Sequence, residues 1–268
     1  MTPTEISAKI VLHSASPVHE RPIATLQLVY PRFVHSEFMT HRVFSRNAMS
    51  SRAVPVAKMI EQVRRDPAMP IHWGANQPGM QANGEVGPLA RQDAEKLWRQ
   101  SAQVAADVAE AMSRDLGLHK QVVNRILEPY QWMHTIVTST EWDNFFSLRL
   151  DAAAEPNIRR LAQCMLAALE GSTPVERDFH APYVSEAEIE GLDYERAALV
   201  SAARCARVSY LNHDGSAPVL EKDLALAETL RTSRHASPFE HQAWVVVDPN
   251  HFSRNFRGWE QFRERIAL

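Results

Sequence analysis

The sequence predicts an α+β fold, an antiparallel sheet with long helices packed on it. Two observations carry this. Residues 7–12 and 23–29 are strand-like and separated by a proline-containing turn, which is the pattern of a hairpin. Downstream, residues 89–115, 155–170, 194–208 and 219–233 have helical period and length. At 268 residues the chain can bury a substantial core as one large domain or two small ones.

In chain order, Pro31 closes the second strand. From Phe33 the spacing turns helical, with Phe33, Glu37, Thr40/His41 and Phe44 on one face. A helix over residues 54–66 ends at Pro67. Residues 67–88 contain four prolines and four glycines and have no periodicity; they read as a lid, an interface arm or a surface loop. Helix 89–115 follows, with Gly117 as its stop. Residues 119–127 begin another helix, interrupted by Pro129. Residues 132–138 are rich in β-branched residues and fit a strand or a buried helix. Residues 141–150 are helical, and Glu155-Pro156 opens helix 155–170. Residues 171–193 read as a connection and 211–218 as a turn. Residues 243–247 form a strand, and 252–266 are a basic, aromatic amphipathic segment. Strand followed by aromatic/Arg helix at 23–46 is faintly echoed at 243–265.

A net charge of −3 argues against wholesale binding to nucleic acid or a membrane surface. Only 5 of the 29 basic residues are lysine, so the cation is nearly all arginine, whose planar fork suits phosphate and carboxylate. Cys164 and Cys205 sit in Ala-rich helical runs without metal-ligand spacing, so no metal site is expected. No leader peptide and no membrane-length apolar run is evident, and we expect a cytoplasmic protein with reduced thiols.

Three places can carry chemistry. Residues 40–52 gather Thr40, His41, Arg42, Ser45, Arg46, Asn47, Ser50, Ser51 and Arg52 behind an apolar strand. Such a loop grips a phosphate through charge-assisted contacts, or is a solvated loop of helix caps. HASPFEH, residues 235–241, offers His235, Ser237, Glu240 and His241 around Pro238. It fits a ligand-contacting turn or a structural His–Glu network better than a metal site. Arg125 and Arg149 each need an anion if half-buried, and Asp143, Asp151 and Glu155 are ordinary partners for Arg149. No P-loop, Gly-x-Gly-x-x-Gly or Gly-x-Ser-x-Gly motif is present.

Together these segments resemble the flavin-dependent thymidylate synthases, the ThyX family. The family signature RHRxxSxNExSxRY is matched without a gap by Thr40-His41-Arg42, Ser45, Asn47-Ala48, Ser50-Ser51 and Arg52. Residues 122–149 resemble the family's arginine-Leu-Pro and NFLxLR helices, 154–158 its AQxEI, 202–209 its AARxS helix and 235–241 its HxSxFEH turn. In the family that turn precedes the RHR motif. Here it follows by almost 200 residues, so the order looks circularly permuted or partly duplicated, with residues 1–170 as the RHR-type half and 194–268 as the HxSPFEH-type half of one domain.

The resemblance implies an α+β, ThyX-like fold and a homotetramer. It implies transfer of a one-carbon unit from methylenetetrahydrofolate to C5 of dUMP, with FAD as redox cofactor and NADPH as reductant. By motif position, Arg149 and Ser50 would be catalytic. Glu37, Ser50, Ser51, Arg52, Arg125 and Arg149 would bind the nucleotide, and His41, Arg42, Val43, Asn144, Ser209, His235, Ser237 and Glu240 the FAD. The chain departs from the pattern at Thr40 (Arg in the family), Ala48 (Glu) and Glu37 (Gln), with Arg46 as a possible substitute cation for Thr40. These changes leave room for another pyrimidine nucleotide, for hydroxymethylation or dCMP, or for a non-catalytic nucleotide or RNA binder.

Overall fold

The computed structural model describes residues 4–208 and 216–266. Strand β1 (Ser7–Ala15) pairs antiparallel with β2 (Ile23–Pro31), as the hairpin pattern predicts, with a bulge between Ile10 and Leu12. A short 3₁₀ turn leads to α1 (His35–Phe38), and β3 (Ser45–Ala48) follows. The helical spacing read through Phe44 is thus corrected: the helix stops at Phe38. Arg46 supplies the physical reason, since its Nη1 donates to the carbonyls of Phe38, Met39 and His41 at 3.3, 2.9 and 3.0 Å. Those acceptors are satisfied by a side chain instead of by further helical turns. Ser45–Ala48 gains a ladder instead, on the open edge of a neighbouring strand.

Helix α2 (Val56–Arg65) and α3 (Pro88–Arg114) pack together, with Val63, Ala102, Ala106 and Ala109 closed between them. Gly117, at φ +62°, stops α3 as expected. Between these helices, residues 67–88 fold as an ordered arm. Gly74 bridges Glu85, the Trp73 amide donates to Glu85 Oε1 at 3.0 Å, and Trp73 meets Trp98 edge-on.

Helix α4 (Lys120–Ile126) precedes β4 (Trp132–Ser139), which resolves the strand-or-helix ambiguity in favour of a strand. Then come α5 (Asp143–Arg149) and α6 (Pro156–Glu170), the latter capped by Glu155, which accepts the Ile158 amide at 2.9 Å. The connection 171–193 contains β5 (Val175–Glu176), β6 (Phe179–His180) and α7 (Glu186–Glu190). Helices α8 (Tyr194–Arg207) and α9 (Leu220–Thr232) lead to β7 (Ala243–Val245). The C-terminal segment forms β8 (Phe252–Ser253), β9 (Phe256–Arg257), β10 (Trp259–Gln261) and a single turn, α10 (Phe262–Arg265). The expected echo of an aromatic/Arg helix at 243–265 is therefore not there. Phe256 and Trp259 are buried side chains of short strands, closed against Ile23 and Ala243.

The main sheet has the order β3-β4-β2-β1-β5, antiparallel except for β5 beside β1. Its two faces are covered from different parts of the chain. Ala24, Leu26, Leu28 and Tyr30, with Met133 and Val137, pack against Ile158, Leu161 and Met165 of α6 and against Phe38, Phe44 and Phe145. Alternation sends Ile23, Thr25 and Gln27, with Ile136 and Thr138, to the other face. There Ile136 meets Cys205 and Val208, and Tyr183 donates to Gln27 Oε1 at 2.9 Å. Burying each such Leu or Ile contributes roughly 1.5–3 kcal/mol, so β2 and β4 are stable only while both layers are in place.

Helices α8 and α9 are joined by buried charge. Asp223, fully buried, accepts from Arg204 Nε at 2.8 Å and Arg207 Nη1 at 2.6 Å, while Arg204 also binds Glu188 at 2.7 Å. No described helix is long and apolar enough to cross a membrane. Replacing Asp223 by Ala takes the carboxylate from Arg207 and leaves Arg204 with Glu188, and should cost about 3–5 kcal/mol in urea unfolding. A loss below about 1 kcal/mol would show that the network does not hold α9.

Candidate functional site

Three polar clusters surround edge strand β3. The first is built by α1 and α5. Phe145 and Arg149, four residues apart, lie on one helix face. Phe145 is buried in the aromatic core, which places Arg149 over the turn after α1. There Arg149 Nε donates to His41 Nε2 at 2.9 Å, Nη2 donates to Thr40 Oγ1 at 3.3 Å, and Nη1 lies 3.6 Å from Glu37 Oε2. Glu37, not the nearer-in-sequence Asp143, Asp151 or Glu155, is its carboxylate partner. Arginine only donates, so His41 Nε2 is a bare acceptor and its proton sits on Nδ1. Burial, with Arg149 and Arg46 beside it, pushes His41 down to about 4. Burial and the repulsion of Glu155 raise Glu37, against the opposing pull of Arg149. Hydrogen bonds among the described residues use two of the five Arg149 N–H groups, which leaves three for a ligand.

The second cluster joins β3 to the far end of the chain. Asn47 Nδ2 donates to the carbonyls of Cys205 and Ala206 at 2.9 and 3.2 Å, at the end of α8. Ser237 Oγ donates to Asn47 Oδ1 at 2.9 Å from the 3₁₀ turn of HASPFEH. Gln261 Nε2 donates to Ser45 Oγ at 3.1 Å and to the Glu240 carbonyl at 3.2 Å. Glu240 is bonded to Arg263, and its charge also acts on Arg46. Segments 40–52, 202–206 and 235–241, distant in sequence, therefore meet.

The third cluster follows β3. Ser51 is buried, and its carbonyl accepts from Asn124 Nδ2 at 2.7 Å. Ser50 and Arg52 are exposed beside it. Arg125, next to Asn124 on α4, pairs with Glu128 at 2.8 Å. A cleft of about 870 Å³ opens beyond the α5–α6 turn, lined by Ala153, Glu155, Arg159 and Arg160 and by the 67–88 arm.

The remaining residues singled out by sequence lie as follows. Arg42 is exposed, and its side chain makes no hydrogen bond or ion pair among the described residues. The Val43 carbonyl is held by Asn255 Nδ2 at 3.1 Å. Asn144 lies on the exposed side of α5 and does not join any cluster. His235 is exposed, its Nδ1 2.8 Å from Ser233 Oγ. Ser209 lies outside the described residues. Arg46 Nη1 is bonded to the carbonyls of Phe38, Met39 and His41, on either side of Thr40. Sequence reasoning missed Asn124 and the joining role of Asn47. Asn47 was visible as an invariant letter of the matched signature, whereas Asn124 carried no signal beyond adjacency to Arg125.

Residues 2–175 match the family model of the thymidylate synthase complementing protein, Thy1. This is more than half of the chain, and the chain belongs to that family. The AAR and HASPFEH segments lie outside the matched residues. Among solved structures, the UMP/dUMP methylase PolB from Streptomyces cacaoi, bound with 5-Br UMP, shares the fold at TM-score 0.51 and 16% identity, over 63% of this chain and 90% of that one. Thymidylate Synthase X from Helicobacter pylori, with FAD and dUMP, overlaps at TM-score 0.38 and 14% identity, over 56% and 68%, too little to build on. No curated protein sequence matches the chain.

His41 is expected to stay neutral in NMR titration until about pH 4. Its folded value lies below the unfolded 6.5, so its contribution to stability is complete above about pH 6.5 and is lost as pH falls toward 4. Arg149→Ala removes one cation and some cover, and the His41 midpoint should rise. An unchanged midpoint would mean that Arg149 does not contact His41.

Proposed function

We propose that this chain is a flavin-dependent enzyme of the thymidylate synthase type, transferring a one-carbon unit from methylenetetrahydrofolate to C5 of dUMP, with FAD as cofactor and NADPH as reductant. The observation that carries the reading is the meeting of segments 40–52, 202–206 and 235–241 at β3, beside the preorganised Arg149. In the family's usual order the last two segments come first. We read the chain as a permuted version of that single domain, in which residues 179–208 and 216–266 cover the sheet face opposite α6.

The donor set suits a flavin dinucleotide. Arg42 offers a diphosphate an exposed guanidinium with no partner among the described residues. Ser237, Glu240, His235 and the Val43 backbone lie on the segments that line β3, with Asn144 as a more distant member of the proposed set and Ser209, outside the described residues, included by motif position. Bound FAD would supply the redox chemistry of the transfer. The protein holds and polarises the pyrimidine. Arg149, fixed by His41, Thr40 and Glu37, directs its remaining N–H groups at charge developing on the base edge. Ser50, Ser51, Arg52 and Arg125 take the nucleotide phosphate, Ser50 from the rim nearest the reacting base. For Arg125 this means exchanging Glu128 for the phosphate.

A second substrate is favoured by one observation. The Glu37 carboxylate beside Arg149 is an acceptor, which suits the exocyclic amino donor of a cytosine base, as in dCMP, and not the edge of uracil. A homo-oligomer, a tetramer as in the family, is supported by Leu97, Val104 and Val108, exposed along one side of α3.

Purified protein loaded with FAD should show a bound-flavin spectrum and release tritium from 5-tritiated dUMP faster than from 5-tritiated dCMP. Faster release from dCMP would select the second substrate, and failure to retain FAD would overturn both. Arg149→Ala should lower turnover by at least about 10²-fold with flavin still bound. Retained turnover would remove Arg149 from the chemistry.

A further inference from the structure

Five fully buried side chains form a continuous hydrogen-bonded line on the sheet face opposite α6: Ser14, His180, Thr25, Thr138 and His241. Ser14 Oγ is 2.8 Å from His180 Nδ1, and His180 Nε2 is 2.8 Å from Thr25 Oγ1. Thr25 Oγ1 is 2.7 Å from Thr138 Oγ1, its partner across the β2–β4 ladder, and Thr138 Oγ1 is 2.8 Å from His241 Nδ1. His241 ends HASPFEH, so the line runs from the first strand, through the sheet, to the turn that binds Asn47.

The chemistry of the members makes the line directional. A hydroxyl has one proton to give, so Thr25 and Thr138, each bonded on two sides, use that proton within the line only by donating to one neighbour and accepting from the other. Both rings are neutral: burial holds His180 well below its ordinary value and His241 down at about 3. Only two arrangements satisfy every link and also use both threonine protons within the line; letting either threonine accept from both sides leaves its own proton and the His241 Nε2 lone pair unmade. In one, Ser14 donates to His180 Nδ1, His180 Nε2–H donates to Thr25, Thr25 to Thr138, and Thr138 to His241 Nδ1. In the other every donation is reversed.

The two differ in what they leave unmade. His241 Nε2 is buried with no partner among the described residues in either. The first arrangement leaves only its N–H. The second leaves that nitrogen's lone pair and also the Ser14 hydroxyl proton, since Ser14 Oγ makes no other hydrogen bond among the described residues. An unmade buried donor is costly, and the second arrangement has one unmade group more. We infer that Ser14, Thr25, Thr138 and His180 are positioning residues that act as one relay, fixing His241 as the Nε2–H tautomer and so seating the 235–241 turn against β4. The relay holds whatever that turn binds, and it makes Ser14 an element of the turn's geometry although the two do not touch.

The test uses the full chain labelled with ¹⁵N-histidine and long-range ¹H–¹⁵N NMR near neutral pH. Both His180 and His241 are expected as single Nε2–H tautomers. In Ser14→Ala the two arrangements each leave two groups unmade, so His241 should shift to a mixture within about threefold of equal. Ser14→Thr restores the hydroxyl and should restore the single tautomer, and Ser14→Cys, a weak donor, should lie between. A His241 found as Nδ1–H or charged in the parent protein overturns the relay. So does a His241 tautomer that ignores Ser14→Ala, which would mean independent hydrogen bonds. If Ser14→Ala does not fold, the Ser14→Cys and Ser14→Thr pair gives the same comparison.

Discussion

Strand β4 is the constraint on which the rest of the structure depends. It lies between β3 and β2, and its side chains are closed in on both faces. Val137 and Met133 need α6, while Ile136 and Thr138 need α8 and the HASPFEH turn. A strand buried on both sides cannot settle until two layers arrive, and here both come from later in the chain, one from α6 and the other from α8 and residues 235–241. The same requirement brings 235–241 to β3, because covering Thr138 with His241 places Ser237 at Asn47.

Charge at the site is arranged by desolvation as much as by pairing. Arg149 faces a neutral imidazole, a hydroxyl and one carboxylate. Held this way it is oriented without being neutralised by a close salt bridge, which leaves its charge available to a ligand. Arg46, a few residues from His41, is used in the opposite sense. Its donors end a helix, and the chain gains a strand in exchange.

Much of the fold was legible locally. The β1–β2 hairpin, α3 with its Gly117 stop and α6 with its Glu155 cap all follow from period and terminal chemistry. The failures have a common cause. Phe33 to Phe44 has helical spacing, and 252–266 has amphipathic spacing, yet both yield to contacts made far away in sequence. Arg46 and the edge of β4 redirect the first. Burial of Phe256 and Trp259 against Ile23 and Ala243 redirects the second. At the site, the cationic loop 40–52, HASPFEH and Arg149 could each be singled out by composition and motif. Which carboxylate Arg149 would meet could not, since Glu37 lies over a hundred residues away from it.

The sequence by itself determined the identity of the family through residues 2–175, the alternation that makes β2 and β4 two-faced, and the residue types available to grip an anion. Only the tertiary structure decided that the late segments 202–206 and 235–241 return to β3, that His41 presents a bare nitrogen to Arg149, and that Ser14 and His241 belong to one line of hydrogen bonds. Local pattern sets what an element can bury, but a buried polar atom is satisfied by whichever partner packing brings within about 3 Å, and that choice is made by the whole chain.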